Sequence, residues 1–111
     1  MAFVRVCALA DVPADEPLKV VVGPQDVAVA RHDDEVFAVE DTCSHAAIAL
    51  SEGLVEECTV ECWLHGSRFD LRTGKPTGPP ATEPVATFPT EVRGGDVYVD
   101  VDRTLNGVTP Q

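Results

Sequence analysis

Hydrophobic and polar residues alternate through most of this chain, and alternation with a period of two predicts β-strands. The pattern places strands at residues 3–6, 18–22, 26–31, 36–39, 55–63, 85–92 and 97–101. Gly94-Gly95 between the last two strands predicts a two-residue hairpin turn. No window of about 11 residues has a good helical period, and only residues 46–50 could form a turn or two of helix. The pattern therefore predicts an all-β sandwich or small barrel.

Proline and glycine mark the connections between these strands. The 9 prolines are spread along the chain, so few long helices could form. Residues 70–84 are rich in turn formers and are expected to make a rigid loop. Residues 103–111 are polar and are expected to form a loose tail. No internal repeat and no low-complexity tract divides the chain, which predicts one domain over residues 1–111.

Charge narrows the choice of partners. The 111 residues carry a formal net charge of −11, which argues against nucleic acid or an anionic membrane and favours a basic protein patch. The amino terminus has no signal-peptide pattern, so we expect a cytoplasmic protein with reduced thiols. The 4 cysteines are then better explained by metal binding than by two disulfides.

Two Cys/His pairs are the candidate chemistry of the chain. Cys43-Ser44-His45 and Cys62-Trp63-Leu64-His65 each place a thiol and an imidazole two or three residues apart, at the end of a predicted strand. Three interpretations are possible. The residues could be ordinary buried cysteines and unrelated histidines. They could form a Cys₂His₂ zinc site, although zinc motifs usually begin with two cysteines. They could hold a Rieske [2Fe–2S] cluster, in which two cysteines bind one iron and two histidines the other.

The chain resembles Rieske ferredoxins, specifically the small ferredoxin subunits of bacterial multicomponent oxygenases. The resemblance runs from Phe3 to about Asp102. Its core is the spacing Cys-x-His, sixteen residues, Cys-x-x-His, followed by the run from Gly66 to Asp70, then Thr73-Gly74-Lys75 and Gly78-Pro79-Pro80. The resemblance implies the Rieske fold, an antiparallel β-sandwich base into which a cluster-binding subdomain, here about residues 41–81, is inserted.

The resemblance also implies a ligand set. Cys43 and Cys62 would bind the buried iron of one [2Fe–2S] cluster, and His45 and His65 the more exposed iron. Around them, Trp63 would pack beside the cluster and the loop containing Pro79 would close over it. The remaining residues of these types, Cys7, Cys58 and His32, are expected to play no part.

Features of the ligand loops imply a low reduction potential. High-potential Rieske proteins carry a disulfide between the two loops, where this chain has Ile48 and Leu64, and a tyrosine where it has Phe69. Ser67 keeps a hydroxyl that could reach a bridging sulfide. Of the three features that raise the potential, this chain lacks the disulfide and the tyrosine and keeps only the serine hydroxyl. We therefore expect a reduction potential of roughly −150 mV, the low end of the Rieske range.

One histidine would remain after the cluster is bound, which is too few for the two-His mononuclear iron of an oxygenase. No dinucleotide-binding glycine motif is present either. We therefore expect a monomeric electron carrier, not an enzyme, between an NAD(P)H-dependent flavin reductase and a terminal non-heme iron oxygenase. A role accessory to iron–sulfur cluster assembly and a zinc-binding interaction module are the alternatives. Four acids could form a face that docks a basic reductase, namely Glu52, Glu56, Glu57 and Glu61.

Overall fold

Antiparallel strands form most of the molecule. The computed structural model describes residues 3–33, 35–43, 48–63, 66–78 and 81–110, and within these ranges it contains ten strands in three sheets. They are β1 Val4–Ala8, β2 Leu18–Val22, β3 Gln25–His32, β4 Glu35–Glu40, β5 Val55–Glu56, β6 Thr59–Glu61, β7 Arg68–Asp70, β8 Thr87–Phe88, β9 Thr90–Arg93 and β10 Asp96–Val99. The described helical turns are the 3₁₀ segments Leu9–Asp11 and Leu50–Glu52. The predicted all-β class is confirmed.

The three sheets form layers around two hydrophobic cores. The strand orders are β1-β10-β9, β2-β3-β4-β8 and β5-β6-β7. The four-stranded sheet lies in the middle because its central strand is buried on both faces: Val27 and Val29 of β3 belong to one core, whereas Ala28 and Ala30 belong to the other. The first core is shared with β1 and β10, and the second with β5, β6 and β7.

The structure breaks two of the predicted strands. Residues 55–63 were predicted to be one strand, but β5 and β6 are separated by a tight turn at Glu57 and Cys58, which have φ of 50° and 60°. Residues 85–92 divide at Pro89, where the chain passes from β8 in the middle sheet to β9 in an outer sheet. Proline has no N–H to donate to a ladder, so it suits this crossing point.

The turn predicted between the last strands is confirmed. Gly94 and Gly95 have φ of 55° and 83° and join β9 to β10, with Arg93 directly opposite Asp96. Positive φ at both central residues is the type I′ arrangement, whose twist matches that of the flanking strands. Among the described residues, no helix is long and apolar enough to span a membrane.

Residues 105–108 are anchored, in contrast to the loose tail expected there. The Leu105 N–H donates to the carbonyl of Thr87 at 2.8 Å, and the Asn106 side chain bonds to three residues outside the tail, namely Thr73, Val85 and Thr87. The three-stranded sheet β5-β6-β7 falls within the segment 41–81 in which we predicted a cluster-binding subdomain. The division of the chain at those boundaries stays a prediction.

Candidate metal centre

Two loops of equal length carry the predicted thiol ligands. Cys43 follows β4, and its N–H donates to the carbonyl of Ile48 at 2.9 Å; Cys62 follows β6, and its N–H donates to the carbonyl of Ser67 at 2.6 Å. Each cysteine therefore closes its loop by bonding to the residue five positions further along. His45 and His65 occur in these two loops, one in each. In each loop the cysteine and the histidine are thus at most three residues apart, and a backbone hydrogen bond from the cysteine holds the two ends of the loop together.

Both thiols are buried in the same core. Cys43 and Cys62 are 1% and 0% exposed, and both pack in the core cluster that includes Val60, Leu50 and Phe69. Neither forms a disulfide. Burial of two thiols in one apolar cluster, with no disulfide between them, provides a pair of soft ligands that water does not reach.

A buried carboxylate, that of Asp41, links the two ends of the first loop. Asp41 is 4% exposed, and its two carboxylate oxygens accept hydrogen bonds from the N–H and the hydroxyl of Ser51 at 2.6 and 2.7 Å. Burial raises the pKa of Asp41, and the bonds from Ser51 oppose that shift. Asp41 and Ser51 flank the ligand loop on either side, so this contact fixes the distance between its ends. Sequence reasoning missed both residues; a short acid two positions before a predicted ligand cysteine was the available signal.

Ser67 and Phe69 lie behind the second loop. Ser67 is buried, and its hydroxyl oxygen accepts a hydrogen bond from the Ala81 N–H at 3.1 Å, a bond that does not use the hydroxyl hydrogen. Phe69 is 0% exposed and contacts the core that contains both thiols. It also bridges to Pro76, which brings the segment after β7 back alongside that strand.

The exposed residues on and next to β5, β6 and β7 are partly apolar and partly charged. Leu54 and Trp63 are each 49% exposed, so Trp63 is only half covered by protein. Arg68 on β7 pairs with Glu61 at 3.3 Å and with Glu56 at 3.8 Å. Two of the four acids predicted to form a docking face are therefore neutralised by a neighbouring strand. The other two, Glu52 and Glu57, form no ion pair within the described part of the chain.

The remaining two cysteines lie outside the two His-containing loops. Burial raises the pKa of the Cys7 thiol and of the Cys58 thiol. Cys7 lies in the other core, and Cys58 lies in the β5-β6 turn rather than in a strand. Over the described ranges, no three His, Cys, Asp or Glu side chains cluster as metal ligands. His45, Leu64, His65 and Pro79 lie outside those ranges.

Comparison with known proteins decides the family. The model of the Rieske [2Fe-2S] domain matches residues 2–89. The chain belongs to the Rieske [2Fe–2S] domain family. This confirms the predicted resemblance. The Rieske domain implies a [2Fe–2S] cluster with Cys and His ligands, and the two buried, unbridged thiols on matched His-containing loops fit that donor set.

Relatives of this Rieske domain are ferredoxins of oxygenase systems. The chain is 43% identical to the ferredoxin component of biphenyl 2,3-dioxygenase from Rhodococcus jostii RHA1, over 98% of this chain and 99% of that one. It is 41% identical to the 3-phenylpropionate/cinnamic acid dioxygenase ferredoxin subunit of Escherichia coli K12, over 91% and 95%. The structure of the complex of reduced oxygenase and oxidized ferredoxin in carbazole 1,9a-dioxygenase contains a chain that matches with 40% identity and a TM-score of 0.82, over 87% and 100%.

Proposed function

We propose that this Rieske protein is a one-electron carrier, the ferredoxin component of a multicomponent oxygenase, and not itself an enzyme. When bound, the [2Fe–2S] cluster would accept one electron and release it again. The observation that carries the proposal is the pair of matched loops, each closed by the backbone of a buried cysteine and each containing a histidine. Near full-length similarity to dioxygenase ferredoxins favours this role over cluster assembly, and the family match favours iron–sulfur over zinc.

The proposed ligands are Cys43 and Cys62 for one iron and His45 and His65 for the other. Burial of both thiols supports placing Cys43 and Cys62 on the inner side of the site. Ser67 and Phe69 would line that side. Trp63, which directly follows a ligand and is half exposed, would lie where a partner can approach.

The ligand proposal is tested by spectroscopy on protein purified without oxygen. We expect Cys43→Ser, Cys62→Ser, His45→Ala and His65→Ala to lose or destabilise the cluster, read as visible absorption and as the EPR signal of the reduced protein. The chain offers matched controls, because Cys7→Ser, Cys58→Ser and His32→Ala change the same residue types outside the loops. These should retain the full iron content. Unchanged spectra in both histidine variants would refute the assignment.

The acceptor would be a terminal non-heme iron oxygenase, and the donor an NAD(P)H-dependent flavin reductase. The matched chain from the oxygenase–ferredoxin complex supports the first partner. The net charge of −11 supports a donor with a basic docking patch. The relatives named for biphenyl and phenylpropionate are almost equally similar to this chain, so the substrate of the oxygenase does not follow from the carrier.

Salt dependence tests the electrostatic part of this proposal. We expect the rate of reduction by a flavin reductase to fall as ionic strength rises, since screening weakens attraction between opposite charges. Glu52→Gln and Glu57→Gln should slow the reaction at low salt and flatten its salt dependence. Glu91→Gln is the matched control, because Glu91 lies on the opposite outer sheet and pairs with Arg93 at 2.7 Å. An equal response in the control would show that the rate depends on the net charge of the protein and not on Glu52 and Glu57 in particular.

A further inference from the structure

The Asn106 side chain ties the carboxyl-terminal segment to two other stretches of the protein, one at Thr73 and one at Val85 and Thr87. Its Nδ2 donates to the carbonyl of Thr73 at 2.9 Å and to that of Val85 at 2.8 Å. Its Oδ1 accepts from the N–H of Thr87 at 3.3 Å and from that of Val108 at 3.2 Å. The amide thus uses both donor hydrogens and both acceptor positions, which is the full capacity of an asparagine side chain.

Thr73 and Val85 flank the segment that returns toward the candidate metal centre. The two ends of this segment meet directly, since the Val85 N–H donates to the carbonyl of Gly74 at 2.8 Å. Gly74 is required there: its φ is +76°, and an added Cβ would overlap the Val85 carbonyl and lie 2.7 Å from Asn106 Nδ2. Asn106 therefore sits against the point where the segment begins and ends, which we term its root.

The described parts of this segment, 74–78 and 81–85, reach the second ligand loop and the core around the thiols. The Thr77 N–H donates to the carbonyl of Arg68 at 2.8 Å, and the Ala81 N–H to the hydroxyl of Ser67. Ala81 and Val85 pack in the same core cluster as Cys43 and Cys62. A displacement at the root would accordingly be transmitted to side chains that contact the thiol-bearing core.

We propose that Asn106 is a positioning residue, which holds the root of segment 74–85 and thereby keeps Ala81 and Val85 packed in the core that contains Cys43 and Cys62. This inference rests on the proposed cluster site. The carboxyl-terminal segment acts as a strap: without the two Nδ2 bonds, the carbonyls of Thr73 and Val85 lose their donor, and the two ends that meet at the root separate more often. Access of solvent and chelators to the site depends on that separation.

Asn106→Asp gives the sharpest test because it keeps Oδ1 for Thr87 and Val108 but replaces both donors with an acceptor. Asn106→Ala removes all four bonds. We expect hydrogen–deuterium exchange at the bonded amides of Thr77, Ala81 and Val85 to rise about tenfold in both variants, and bleaching of the visible spectrum by an iron chelator to accelerate by a similar factor. Leu105→Ala is the neighbouring control, since the Leu105 side chain is 64% exposed.

A second control separates the strap from general instability. Cys7→Ala removes a side chain from the core shared with β1 and β10, away from the thiol-bearing core. Urea unfolding measures whether this variant loses as much stability as the Asn106 variants do. If Cys7→Ala at matched stability bleaches equally fast, or if Asn106→Asp behaves like the wild type, the proposal is wrong. Faster exchange with unchanged bleaching would also overturn it. Wild-type protein that binds no cluster would refute the proposed function instead, while the exchange measurement would still report on the strap.

Discussion

Ser51 donates two hydrogen bonds to the Asp41 carboxylate, one from its backbone N–H at 2.6 Å and one from its hydroxyl at 2.7 Å. Asp41 is almost fully buried, so each bond replaces water that the carboxylate lost on folding. The contact joins the two ends of the segment that contains Cys43 and His45. The same two groups thus satisfy a buried charge and set the span of a ligand loop.

Removal of the Ser51 hydroxyl should therefore destabilise the protein more than the loss of a hydrogen bond on the surface would. We expect Ser51→Ala to lower the free energy of unfolding by about 1–3 kcal/mol, because one oxygen of a buried carboxylate then lacks its donor. Ser51→Thr, which retains a hydroxyl, should lose less. Urea unfolding measures both. Equal stability of the two variants would contradict a stabilising role for the Asp41–Ser51 side-chain bond.

Substitutions in the turn between β5 and β6 should raise the free energy of unfolding. Glu57 and Cys58 both adopt positive φ, which costs residues other than glycine or asparagine about 1 kcal/mol or more each. Asn-Gly is the preferred pair for a type I′ turn. We expect the double variant Glu57→Asn, Cys58→Gly to raise the free energy of unfolding by about 1 kcal/mol, with unchanged iron content. Glu57→Gln, which removes the charge but not the strain, is the control and should change stability little.

Phe69 offers a test of how the reduction potential is set. Phe69 is fully buried in the core that contains both proposed thiol ligands. A hydroxyl at this position would donate to a ligand sulfur more strongly in the reduced, more negative state, so Phe69→Tyr should raise the midpoint potential. A differential bond of about 1 kcal/mol corresponds to roughly 40 mV for one electron. Phe69→Leu, which adds no hydroxyl, serves as the control; a fall in the potential of the tyrosine variant would contradict the prediction.

An exposed ion pair should give a small, pH-dependent contribution to stability. Arg72 donates to both carboxylate oxygens of Glu35 at 2.8 and 2.9 Å, and this hydrogen bonding holds the pKa of Glu35 below its usual value. Because the folded-state pKa is lowered, the stabilisation is present above the pKa of the unfolded chain and is lost as pH falls through the folded value. The stability difference between wild type and Glu35→Gln should be largest near neutral pH and vanish in acid.

An Arg72→Gln background isolates that pair. Glu35→Gln introduced there should show a much smaller pH-dependent difference in urea midpoint, since the main partner that lowers the pKa of Glu35 is gone and only the weaker influence of His32 is left. A difference that persists unchanged in this background would mean that another group shifts Glu35. Arg72 also lies 5.2 Å from the centre of the Phe37 ring, so the background itself is expected to be less stable.

The sequence predicted those features that depend on local pattern. Alternation identified β2 at Leu18–Val22 with its observed bounds, and the Gly94-Gly95 pair identified the last hairpin. The Cys/His spacing indicated the family, because each loop mixes one thiol with one imidazole, as a cluster with two cysteine and two histidine ligands requires. The assignment of individual ligands stays a prediction.

Features that depend on contacts between distant residues could not be predicted from local sequence pattern. The turn at Glu57 and Cys58 interrupts an alternation that continues on both sides, and its residues have no preference for positive φ; packing of the short sheet imposes it. Val85–Val92 also alternates without a break in hydrophobicity, and only the missing N–H of Pro89 marks the change of sheet. Asn106 bonds to residues 19 to 33 positions away, which no local pattern encodes.

Strand β3 carries two separate size requirements in its alternate positions. The valines at 27 and 29 fill the core shared with β1 and β10, whereas the smaller alanines at 28 and 30 face the core that contains Cys43 and Cys62. A larger side chain at position 27 or 29 would therefore crowd the core shared with β1 and β10. A larger side chain at position 28 or 30 would instead crowd the core around the two thiols, so the volume open to the thiol-bearing loops depends on the small residues of a strand outside those loops.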